Sequence, residues 1–255
     1  MSLLKFILSK ASPIPKLESF FRYLFIGPHP DDIEIGCGAT VSKLASMGKE
    51  ISFLICLDGR YGLDFAPEGT TPEELVRIRQ AESLESAKRL GVTDVHFLGL
   101  SDGGFYKIED LRAAIAVAVG NIKPQVIFSV DPDVPNECHI DHLNVGQQSK
   151  IIANFASNKE IMSRYGAQTA PVEVLALYMT AKPNRYIRTS GHIKKQLDAV
   201  FDVHLSQFPK GCAMAASITK YIKLRAFFFG LRALKGHAEG FRVMDGVRMH
   251  CFPEG

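Results

Sequence analysis

Two short stretches of this sequence crowd imidazoles and carboxylates together. HPDDIEIGCG follows the apolar run YLFIG and sets His29, Asp31 and Asp32 around Pro30, while HIDH, with His139, Asp141 and His142, comes soon after the apolar run VIFSV. An apolar strand that empties into one His and two Asp needs something to satisfy them, because adjacent carboxylates repel and burying them costs on the order of several kcal/mol. A divalent cation meets that need. His29 and Asp32, three apart across a proline-stiffened turn, can converge on one ion, while Asp31 projects elsewhere and stays free to take a proton; the competing reading is that Asp31 or Asp32 only caps the following helix. His139 and His142, at i and i+3 near a helix start, share one face, a spacing that alone suits a surface or capping pair better than ligation. Joined to the first stretch, they complete a ligand set of His29, Asp32 and His142 that leaves a fourth position for water, the pattern of an open catalytic Zn2+ site. Such an ion lowers the pKa of water towards roughly 7 and polarises an amide carbonyl. Asp31 is then the expected general base. His139, one turn from His142, is expected to stabilise an oxyanion or protonate a departing amine, with Asp141 orienting it and raising its pKa.

The elements around these motifs must bring them to one place. Strand-length apolar runs at Tyr23–Gly27, Ile51–Leu57, Val95–Leu98, Val126–Val130 and Val174–Met179 alternate with helix-period segments at Gly38–Met47, Pro72–Leu90, Leu111–Ile122 and Asp141–Ala156. That alternation predicts βαβ units and a parallel sheet. Thr71 before Pro72 and Gly91 after Leu90 delimit the second of these helices. Later helices are expected at Ser190–Val200 and Lys210–Leu234, and Gly240–Gly255 is read as strand and loop closing over the site. In an open α/β sheet the ligand sits at the carboxyl ends of the strands, where both motifs fall.

Bulk properties narrow the class. With 255 residues, 46% apolar and 22% charged, the chain suits one large soluble domain. A net charge of +3 is too mild for a phosphate-tracking surface, so no nucleic-acid role is expected. The five cysteines are scattered and odd in number, which fits a reducing cytoplasm better than a disulfide framework. The start, MSLLKFILSKASPIPK, is too short to span a bilayer and reads as an amphipathic arm over residues 1–20, ahead of a single domain at 21–255. KYIKLRAFFFGLRAL, from Lys220, reads as an amphipathic helix, buried or facing another subunit, with docking at a membrane surface as the alternative. No integral membrane segment is expected, and a homo-oligomer is.

HPDDIEIGCG after the first strand, together with HIDH after a later one, resembles the LmbE-like, or PIG-L, family of zinc-dependent N-deacetylases. RIRQAESLESAKRLGVTDVHFLGLSDGG looks like that family's long helix, strand and Asp-bearing loop, and HLSQF with AEGFRV looks like its C-terminal part. The resemblance implies a Rossmann-like three-layer α/β sandwich with a mostly parallel sheet, one Zn2+ per subunit, and removal of acetyl from an N-acetylglucosamine-like small-molecule substrate. It matches His29, Asp32 and His142 to the metal ligands, Asp31 to the base and His139 to the group assisting the tetrahedral intermediate. It further implies that Arg79 and Asp102 contact the sugar, although Asp102 suits a turn former equally.

LDGRYG departs from the family's pattern. Arg60 and Tyr61 there suit an anionic or sugar-bearing leaving portion through charge-assisted bonds and ring stacking, and suit loop packing as well. Arg188, His192, His204, His237 and His250 stand without a second motif and are read as surface or core residues. Glu239 and Phe241 line the pocket only by the resemblance. Cys37 and Cys138 are read as packing. The competing functions are an amidase on another acyl amide or thiol conjugate, and a non-catalytic Rossmann-like module for a sugar or nucleotide. GPHPDDIEIGCG lacks a GxGxxG cradle and puts negative charge where a pyrophosphate would sit, which weighs against the module.

Overall fold

The strand-length apolar runs form one sheet, seen in a computed structural model that describes residues 12–234 and 236–251. Among these residues seven strands are ordered β3-β2-β1-β4-β5-β7-β6. β1 (Arg22–Gly27), β2 (Glu50–Leu57), β3 (Asp94–Leu100), β4 (Val126–Val130) and β5 (Val174–Tyr178) are parallel. β7 (Ala238–Asp245) runs antiparallel to β5, and β6 (Arg185–Arg188) antiparallel to β7. β1, β4 and β5 are buried along nearly their whole length, as a parallel sheet covered on both faces requires.

Alternate residues of each strand feed two cores. Phe25, Phe53, Phe128 and Tyr178 pack with Ile33, Val41 and Leu44 of α1 (Asp32–Ser46), Ala87 and Leu90 of α2 (Pro72–Leu90), and Ala199 of α6 (Ile193–Phe201). Ile26, Leu54, Ile127 and Leu175 pack on the other side with α3 (Ile108–Ile122), α4 (Ile140–Phe155) and Met162 of α5 (Lys159–Arg164). The result is the three-layer sandwich expected. α7 (Ala213–Ala233) lies against β7, and α8 (Gly246–His250) follows it.

The long helix α2 has the predicted bounds, set by a reciprocal Thr71–Glu74 capping box and by Gly91 at φ 93°. α1 begins six residues before the predicted Gly38, because Gly36 and Gly38 are not turn formers. A Cβ at Gly36 would sit 2.3 Å from the Tyr178 ring, so that glycine admits an aromatic side chain against the helix. The helix breaks at Cys37 (φ −155°, ψ 22°) and resumes. Over residues 240–251 the tail does not close over the site: β7 starts at Ala238, extends the sheet and is followed by a helix, while residues 252–255 lie outside the described residues. β6 was not predicted. Of the expected N-terminal arm, residues 1–11 lie outside the described residues; Leu17 is buried and Ile14 packs on the core.

Candidate metal and catalytic site

β1 and β4 are neighbours although their motifs are far apart in sequence, so His29–Asp32 and His139–His142 meet at the carboxyl edge, where the strand order reverses. His29 Nδ1 is 3.1 Å from Asp32 Oδ2, and His142 Nε2 is 3.4 Å from Asp32 Oδ1. Two ligands each about 2 Å from a tetrahedral ion stand roughly 3.3 Å apart, so these spacings already suit one shared cation. One ligand atom from each of His29, Asp32 and His142 lies within 4.8 Å of the other two. The electrostatics agree. Burial would lower the His29 pKa, yet the Asp141 and Asp32 carboxylates raise it to about 10. His142 likewise rises to about 9 against burial because of Asp32, and the two imidazoles hold Asp32 well below the usual carboxylate range although burial opposes it. The cluster is built around positive charge.

Each imidazole has an outer partner. His29 Nε2 lies 2.9 Å from Asp141 Oδ2, and His142 Nδ1 lies 3.1 Å from Glu137 Oε2. Carboxylates in these positions fix tautomer and ring orientation for a metal ligand. Glu137 was not picked out from sequence, since only the loop geometry turns it towards His142.

Asp141 departs from its expected role. Its oxygens take His29, the N–H groups of Gly103 (2.7 Å) and Gly104 (2.9 Å), and the Tyr106 hydroxyl (3.0 Å), while His139 Nδ1 stays 3.8 Å away. It therefore orients His29 and not His139. These donors bring its pKa to about 2 in spite of burial. The expected rise at His139 is not seen either: burial and the neighbouring His29 and His142 lower its pKa. His139 Nδ1 instead accepts the Asp141 backbone N–H at 3.3 Å, capping α4. In the neutral ring that leaves the proton on Nε2, a donor on a half-exposed side chain.

Asp31 takes an unusual backbone, φ 123° and ψ −25°, at the head of α1, with no side-chain capping bond. Strained residues of this kind persist where the surroundings over-determine them. Arg79 does so here: its guanidinium donates to Gly59 O (3.1 Å) and Pro30 O (2.8 Å) and lies 3.3 Å from Asp31 Oδ2. Burial raises the Asp31 pKa to about 6, with Arg79 opposing. A carboxyl poised there can take and return a proton near neutral pH.

His29, Asp31, Tyr61, Arg79, Asp102 and His139 line one cleft of about 280 Å³, with Gln207 at its wall. Asp102 Oδ2 accepts the Tyr61 N–H at 3.4 Å, and its buried Oδ1 has no hydrogen-bond partner among the described residues. Arg60 does not join them. Its guanidinium is held by Asp58 at 2.6 and 2.9 Å and faces Glu73 at 3.9 Å, which fixes the loop instead of reaching a ligand. Behind Asp31, buried His204 lies 3.4 Å from Glu34, whose Oε1 accepts the Ser86 hydroxyl. Glu239 turns to α1 instead of the cleft, and Phe241 is core.

The family described as PIG-L, GlcNAc-PI de-N-acetylase, matches residues 24–152, a span holding both motifs. Diacetylchitobiose deacetylase of Thermococcus kodakarensis is 29% identical over 237 residues, 91% of this chain and 86% of that protein. The 1D-myo-inositol 2-acetamido-2-deoxy-alpha-D-glucopyranoside deacetylase of Thermobispora bispora is 26% identical over 250 residues, 88% of this chain and 80% of that one. The structure of N,N'-diacetylchitobiose deacetylase from Pyrococcus horikoshii, bound to its inhibitor MPG, aligns with a TM-score of 0.87 at 28% identity, covering 99% of this chain and 97% of the other.

Proposed function

Because the chain belongs to the PIG-L family of GlcNAc-PI de-N-acetylases, we propose that it is a Zn2+-dependent hydrolase that frees the amine of an N-acetylated amino sugar. The observation that carries this reading is the approach of ligand atoms of His29, Asp32 and His142 to within 4.8 Å of one another, with Asp31 and His139 on the same cleft. The bound ion would supply positive charge that acidifies a water molecule and polarises the acetyl carbonyl. Asp31 takes the proton of the attacking water, held in place by Arg79. His139 Nε2 donates to the oxygen of the tetrahedral intermediate, and the proton on Asp31 passes to the departing nitrogen. The open Oδ1 of Asp102 accepts a sugar hydroxyl, and Arg79 acts on the sugar only through the carboxylate it positions. Glu137 and Asp141 keep the two imidazoles aligned.

A screen of N-acetylated amino sugars for free-amine formation, with chelated enzyme as control, tests the reading. Chelator-sensitive amine release with acetate in equal amount is expected; no release from any amino sugar by metal-replete protein would overturn it. Metal analysis of the purified protein identifies the ion, for which two imidazoles and a carboxylate favour Zn2+. Among the described residues no helix is long and apolar enough to cross a membrane. All five cysteines are free thiols, in keeping with a cytoplasmic enzyme. The expected homo-oligomer finds support in α7, whose solvent face exposes Met214, Tyr221, Leu224, Phe228 and Leu231. Their spacing in steps of three and four, with Ser217 in the series, suits a helix of a second copy.

A further inference from the structure

At the rim of the cleft stand two aromatic rings that the chemistry above does not use. Tyr61 is 52% exposed and Phe105 72% exposed, with ring centroids 5.6 Å apart and planes at 72°. An edge-to-face pair covers only one of its four ring faces, so most of this aromatic surface is open to a ligand. Exposed rings set on loose loops would signify little; these loops are tied to the catalytic groups. The Tyr61 N–H donates to Asp102, Phe105 N–H to the Asp102 carbonyl at 3.4 Å, and the intervening Gly103 and Gly104 N–H groups to Asp141, which in turn holds His29. Gly103, at φ +72°, lies so close beneath the rings that a Cβ would come within 3.2 Å of Phe105 and 3.6 Å of Tyr61. The pair is thereby fixed relative to the reacting atoms.

The rim is also electrically quiet. Arg60, the cation next to Tyr61, is taken by Asp58, and among the described residues no other guanidinium or ammonium lines the cleft except Arg79, which donates to Gly59 O and Pro30 O. Beside the two rings an anionic group finds no free guanidinium, and the carboxylates of the cleft, Asp31 and Asp102, are buried. A neutral saturated ring fits: its weakly positive C–H face packs on the negative faces of the aromatics while its hydroxyls stay in water.

We propose that Tyr61 and Phe105 are specificity-determining residues that form a stacking platform for the second ring of the substrate, a neutral pyranose or cyclitol joined to the N-acetylated sugar. This rests on the deacetylase reading above. The pair sets a preference for two-ring over one-ring substrates.

Two measurements on the zinc-loaded full chain test it. The first is the ratio of kcat/KM for N,N'-diacetylchitobiose to that for N-acetylglucosamine, with a GlcNAc–inositol conjugate as a second two-ring substrate. Phe105→Ala should lower that ratio between about threefold and tenfold, the worth of one aromatic contact, and Phe105→Tyr should restore it. Equal losses on one-ring and two-ring substrates would overturn the proposal. The second needs no turnover. The chain has no tryptophan, so Phe105→Trp introduces a single reporter at the rim. Saturable change of its fluorescence by chitobiose, and a weaker response to the monosaccharide, is the expected result. No saturable change with any two-ring ligand would overturn the platform even if amine release is seen, whereas saturation without amine release would keep the platform and reject the reaction.

Discussion

Asp141 Oδ2 stands 2.9 Å from His29 Nε2, although 112 residues separate the two in the chain. This bond couples the second motif to the first and spends on His29 a carboxylate that local spacing assigned to His139. Asp141→Asn keeps the shape but removes the charge that would hold His29 in the tautomer the proposed site needs. Metal affinity should fall by about 10- to 100-fold, as for other outer-shell carboxylates. Competition with a chromogenic chelator reads it; a variant with native affinity and lost turnover would mean that Asp141 acts on substrate instead.

Asp31→Asn removes the proposed proton acceptor and leaves the proposed ligands in place. The expected outcome is a loss in kcat of about 10²- to 10⁴-fold with stoichiometric metal retained. Wild-type turnover in the variant would assign the base elsewhere.

Gly59, at φ +71°, shows how Asp31 is held. A Cβ there would lie 2.4 Å from Arg79 Nη1, so Gly59→Ala must both strain the backbone and push the guanidinium away from Asp31. Urea unfolding should show a loss of about 1–3 kcal/mol. Activity measured well below the unfolding midpoint should drop as well, because Asp31 loses its fixed partner.

Glu239 supplies a pH test of stability. Its carboxylate accepts the Thr40 N–H at 2.8 Å and the Ala39 N–H at 3.3 Å, capping the part of α1 that resumes after the break at Cys37. Burial raises its pKa from 4.5 to about 7, with those N–H groups pulling the other way. The folded state thus holds a proton that the unfolded chain gives up. The stabilising contribution is complete below about pH 4.5 and is lost as pH rises through 7. It amounts to about 3 kcal/mol. The difference in unfolding free energy between wild type and Glu239→Gln should therefore shift in favour of the variant between pH 5 and pH 8; parallel profiles would show that Glu239 is charged throughout.

What was legible in the sequence was local. The bounds of α2 were legible because Thr71, Pro72 and Gly91 act within a turn of themselves. The pairing of the two motifs was legible because each follows an apolar strand and strand ends converge. The start of α1 was not, since Gly36 answers to Tyr178, more than a hundred residues away. Glu137, the free oxygen of Asp102 and the true partner of Asp141 were hidden for the same reason: loops decide them, and loop geometry depends on distant contacts. β6 escaped notice because RYIR is a strand only by virtue of β7 beside it.

The adjacency of β1 and β4 also bears on how the protein is made. During synthesis His29 and Asp32 emerge long before His142, so in the proposed site the nascent chain would carry only part of the ligand set. Completing it requires the long crossover through β2, β3 and α3, a slow and non-local event. Loading with metal and locking of the central strands therefore coincide, and protein produced in metal-starved cells should be slower to mature and an easier prey for proteases than its loaded counterpart.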